Sequence, residues 1–152
     1  MKKLFALILI VAMLATMSVT AFAANTTGGE ADITTSIAPT YTVTIPADVN
    51  VQFNATETAF GTIEVTASQI HPDKCIKVAL TTDNELNNAI DNTKVIPYAI
   101  KDSEGAAFTS ATYLTEGDKT ELSIHITADD WNAAYAGEYS DTVTFTVSYE
   151  DK

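Results

Sequence analysis

Arginine is missing altogether from this 152-residue chain, and lysine is scarce. Nucleic-acid binding runs on clustered cations that release counterions, and such clusters do not exist here. Anionic membrane surfaces are disfavoured for the same reason. No planar guanidinium is available to clamp a phosphate or carboxylate substrate. Cysteine is nearly absent too: Cys75 stands alone, so an intrachain disulfide is excluded. The core must hold without covalent staples. The two histidines, His71 and His125, are far apart in sequence and form no H-x-x-x-H pair for a metal. A G-x-S-x-G elbow, a P-loop and a C-x-x-C pair are all missing. These absences predict a protein that is not an enzyme, with no catalytic residues, no cofactor and no metal.

What is present begins with a leader. Lys2 and Lys3 precede an apolar run from Leu4 to Ala15, long enough for a hydrophobic helix in a translocon. Thr16, Ser18 and Thr20 then interrupt it, and Ala21-Phe22-Ala23 places small residues at the positions a signal peptidase requires. Residues 1–23 are therefore predicted to be a cleaved signal peptide, which makes the mature protein secreted, with no membrane segment after cleavage. All 20 acidic residues follow the leader and two lysines leave with it, so the exported part has a net charge of −14. Such acidity suits solubility in an extracellular medium. The chain closes on Glu150-Asp151-Lys152 with no sorting motif, so surface attachment is expected to be non-covalent or through a partner.

Beyond Glu30 the dominant pattern has period two, the repeat of a strand with one buried face. Tyr41, Val43 and Ile45 alternate with threonines up to Pro46. Ile63 and Val65 do the same, as do Ile76, Val78 and Leu80. Ile96, Tyr98 and Ile100 predict a strand that Pro97 confines to an edge or a bulge. Phe108–Leu114 is weaker; Leu122, Ile124 and Ile126, then Val143, Phe145, Val147 and Tyr149, complete the set. About seven strands bounded by Gly, Pro, Asn and Asp predict an all-β fold, an Ig-like antiparallel β-sandwich with Greek-key connections over residues 41–152. Thr127 is positioned to cap one short helix, which carries Trp131 to close an end of the sandwich.

Residues 24–40 form a polar extension with a strand candidate of its own. Ala31, Ile33, Thr35 and Ile37 alternate with Asp32, Thr34 and Ser36, and Pro39 separates them from the next strand. Such a segment either pairs within its own sheet or adds to the open edge of a neighbour. In the second case Ile33 and Ile37 donate, and Val143, Phe145 and Val147 border the receiving groove. The expected partner is then another protein or a second copy. A glycan is the alternative ligand, held by a loop around Trp131, Tyr135 and Tyr139.

The stretch Ala136-Gly-Glu-Tyr-Ser-Asp-Thr-Val-Thr-Phe-Thr-Val-Ser-Tyr149 resembles the closing strand of fimbrial and spore-coat-U-type subunits, where a G-x-Y-x-D turn leads into an alternating strand. Tyr41-Thr-Val-Thr-Ile-Pro46 resembles their opening strand. The paired cysteines common in those subunits are absent. Taken whole, the chain is similar to small secreted Ig-like surface proteins of Gram-positive bacteria. The resemblance implies a surface- or fibre-associated sandwich with a structural or adhesive role.

Overall fold

The computed structural model describes Ile8–Val11 and residues 30–152. The rest of the leader, including its cleavage site, and residues 24–29 lie outside the described residues. The fold is an all-β antiparallel sandwich. β1 (Ile8–Val11), β2 (Thr40–Thr44), β3 (Glu57–Gln69), β9 (Lys119–His125) and β7 (Ala99–Asp102) form one sheet in the order β1-β2-β3-β9-β7. A second sheet runs β11-β4-β8, from β11 (Thr144–Asp151), β4 (Lys74–Thr81) and β8 (Ser110–Tyr113). A third runs β10-β5-β6, from β10 (Tyr139–Ser140), β5 (Glu85–Asn88) and β6 (Val95–Pro97).

The third sheet continues the second. β4 leads into β5 and β11 follows β10, so the β4–β11 pair becomes β5–β10 across a break. Asn84, at φ 61°, makes the turn at that break, a left-handed conformation that asparagine tolerates. Asp83 Oδ1 steadies it by accepting from the Glu85 amide.

One buried cluster joins the layers. Val43, Ile63, Val65, Leu122 and Ile124 come from the first sheet, and Ile76, Val78 and Tyr113 from the second. Ile63, Ile76, Ile96 and Ile126 are wholly buried, each stabilising the fold by about 1.5–3 kcal/mol relative to exposure. Threonine fills the outward positions because β-branching suits the extended backbone and the hydroxyl accepts water.

Two expectations change. The described chain has eleven strands, ten of them after residue 30, where the periodicity predicts about seven. The short β5 and β10 carry too few alternating residues to announce themselves. The strand predicted through Ile96–Ile100 is two strands in two sheets. Pro97 lacks the amide needed to continue a ladder, so β6 stays at the edge of its sheet, and the chain crosses at Tyr98 into β7. Ile8–Val11 lies antiparallel on β2. The short helix stands as predicted: α1 (Ala128–Ala133) starts at Thr127, whose Oγ1 accepts from the Asp130 amide at 3.1 Å.

Candidate functional site

A groove of about 810 Å³ opens between the segment that follows β2, from Ile45 to Val51, and the approach to β11, from Tyr139 to Phe145. Its existence starts from a bulge. β3 shifts register against β9 between Ala59 and Gly61, inserting Phe60 as an extra residue. Gly61 takes φ 139° there, and a side chain at that point would press on Pro46 at 3.1 Å. The bulge sets Phe60 against Phe145 of β11, ring centroids 6.0 Å apart. Ile45, Ile96, Ile100, Ile124, Val143 and Phe145 complete an apolar lining.

Trp131 and Phe53 stand at one end of the groove, edge to face with centroids 5.6 Å apart. The indole Nε1 donates to the Ala55 carbonyl at 2.8 Å, which fixes the ring. Phe53 is 76% exposed, an unusual position for a large apolar ring. Tyr139 also lines the groove, and its hydroxyl donates to the Tyr135 carbonyl at 2.9 Å. Tyr135 itself lies outside the lining, exposed, with the Lys94 ammonium 5.0 Å from its ring centre.

The wall of the groove carries one polar knot. The Tyr98 hydroxyl donates to Asp141 Oδ2, and Thr82 Oγ1 donates to the same oxygen at 3.2 Å. Asp141 Oδ1 accepts from the Thr142 amide at 2.6 Å. Burial, then the Asp141 contact, holds the Tyr98 phenol well above its ordinary pKa, so it remains a donor. The knot ties the β4–β5 break, the β6–β7 crossing and the approach to β11 together. It is an anchor, since every oxygen in it is already engaged.

The sequence-predicted residues divide between this groove and the surface. Val143, Phe145, Trp131 and Tyr139 meet in its lining. Val147 faces inward further along β11, half-buried opposite Val78. Ile33 and Ile37 are 99% and 68% exposed on a segment that, from Glu30 to Pro39, belongs to no strand. Cys75 is buried, its thiol donating to the Asp151 carbonyl at 3.7 Å. His125 bonds Ser123 at 2.9 Å and His71 contacts Asp73, so the two imidazoles serve separate local pairs. The carboxylates of Asp83 and Asp91 accept backbone amides in their own turns.

Sequence reasoning missed Phe53, Phe60, Tyr98 and Asp141 as groove residues. The Phe60-Gly61 step inside a strand was the legible signal for the first wall, because glycine there marks a bulge. Nothing local connects Tyr98 with Asp141. Among the described residues there is no group of three or more His, Cys, Asp or Glu placed to hold a metal, and no helix long and apolar enough to cross a membrane. Comparison with family models, with curated proteins and with solved structures finds no match to this chain.

Proposed function

We propose that this is a secreted, non-enzymatic bacterial surface protein, a structural or adhesive module that self-associates by strand addition. The observation that carries the reading is the segment at 31–37. Its two isoleucines are exposed, its apolar residues alternate, and it is joined to a domain with an apolar groove on one flank. Leaving two isoleucines in water forgoes about 1.5–3 kcal/mol each, which a partner surface recovers. Export supplies the setting: an acidic, disulfide-free domain behind a signal peptide.

The test is the size of the exported chain, residues 24–152, measured by light scattering across a concentration series. Assembly that grows with concentration, and is abolished by Ile33→Asp with Ile37→Asp, is the expected result. A monomer at every concentration overturns the reading. A second reading, a monomeric glycan-binding domain, is favoured by the exposed Phe53 ring against Trp131. Saccharides stack on such surfaces. Quenching of Trp131 fluorescence by members of a neutral glycan panel supports it, and a flat response across the panel removes its basis.

A further inference from the structure

The outer edge of β2 is a place where the structure seats an added apolar strand on the domain. Ile8–Val11 runs antiparallel along it, with Ile8 opposite Thr44, Leu9 opposite Val43, Ile10 opposite Thr42 and Val11 opposite Tyr41. The opposite side of β2 is occupied by β3 from Thr40 to Thr44. β2 bears no charge along its length, whereas edge strands that resist pairing are blunted with lysine or inward-pointing charges. The other strand on this flank, β11, ends in Glu150 and Asp151. When the leader leaves, Ile8–Val11 leave with it, and one row of β2 amides and carbonyls loses its partners.

We infer that the outer edge of β2 is the acceptor for self-association, and that its occupant in the exported protein is residues 31–37 of a second copy, running antiparallel. The inference rests on the self-association reading above. Among the described residues, this segment combines period-two apolar residues with no strand partner. The tightest hairpins do not return it to the same edge of its own chain in a productive register. A two-residue hairpin through Ala38-Pro39 requires positive φ at Ala38, which favours glycine, and it would pair Ile33 and Ile37 with outward-facing threonines. A three-residue loop, Ala38-Pro39-Thr40, offers no glycine for its left-handed position, and Thr40 is already paired with Gln69. A second copy escapes both constraints.

The faces then set the register. Residues directly opposite each other share a face, and Tyr41, Val43 and Ile45 point inward. Thr35 opposite Val43 places Ile37 opposite Tyr41 and Ile33 opposite Ile45 at the mouth of the groove. On the outer face, Ser36 falls opposite Thr42. Donor and acceptor are different surfaces of one chain, so repetition of the contact builds a linear assembly unless two copies exchange segments.

Two measurements on the exported chain test this. Hydrogen exchange of the β2 amides is followed while the protein is concentrated from monomer to assembly, and alternate amides of Thr40–Thr44 are expected to slow by about tenfold or more. In a Cys75→Ala background, Ser36→Cys and Thr42→Cys proteins are mixed under mild oxidation, and a disulfide joining one of each is expected. Assembly with unchanged β2 exchange, or cross-linking of Ser36→Cys to Thr146→Cys on β11 in place of Thr42→Cys, overturns the β2 acceptor and leaves self-association standing. A chain that never assembles overturns both.

Discussion

Replacing Tyr98 by phenylalanine deletes one hydroxyl at the point where the chain crosses between layers. The ring is 8% exposed and stays in place, so packing is preserved and only the polar knot changes. The lost hydroxyl donates to Asp141 Oδ2 and lies 2.8 Å from Thr82 Oγ1. A hydrogen bond to a charged acceptor is worth about 1.5–3 kcal/mol net. Asp141 is only half-buried and keeps both Thr82 and the Thr142 amide, so the lower end applies, about 1.5 kcal/mol. In a domain of this size that lowers Tm by about 6 °C. Urea melts of wild type, Tyr98→Phe, Asp141→Asn and the double variant should give a coupling energy of about 1 kcal/mol. The phenol also sets an alkaline limb. Its folded pKa is raised, so its contribution is intact below the unfolded value of about 10 and declines as pH rises toward the folded one. Tyr98→Phe should flatten that decline. A loss under about 0.5 kcal/mol, or additive single variants, would refute the account of Asp141 as an anchor.

Two further outcomes follow from single sites. Gly137→Ala should cost about 2 kcal/mol in urea melts, because φ is 154° there and the new methyl carbon would lie 2.4 Å from Asn88 Nδ2. Asn88 cannot simply turn away, since it is buried and its Oδ1 holds the Ile90 and Asp91 amides at 2.9 and 3.2 Å. Asp118 accepts the Leu114 and Thr115 amides at 2.7 and 2.9 Å, which hold its carboxyl below the usual range. Its stabilisation is present above about pH 4 and is lost as pH falls through the folded value, so Asp118→Ala should flatten the acid limb of the stability curve.

Much of the scaffold was legible along the chain. The alternations at Tyr41–Ile45, Ile76–Leu80 and Leu122–Ile126 each name a buried face, and the structure buries Val43, Ile76, Val78, Leu122, Ile124 and Ile126. Thr127 announced its helix because capping is local. The groove was half legible. Val143, Phe145, Trp131 and Tyr139 could be singled out, but their meeting with Phe60 and Ile45 depends on a bulge and on sheet packing between distant segments. Ile96–Ile100 misled because its alternation continues unbroken through Pro97 while the hydrogen-bond partners change from β5 to β9.

The sequence by itself determined the faces of the strands, the acidity, and the lack of any intrachain disulfide or cationic patch. These are properties of residue type and of a two-residue repeat. The tertiary structure decided which strands are neighbours, where the layers part to leave a groove, and that β2 has an outer edge an added strand can occupy. Alternation says which side of a strand is buried but not what lies beside it. Strand pairing is made by backbone groups that every residue shares, and only the packing of the whole chain chooses among them.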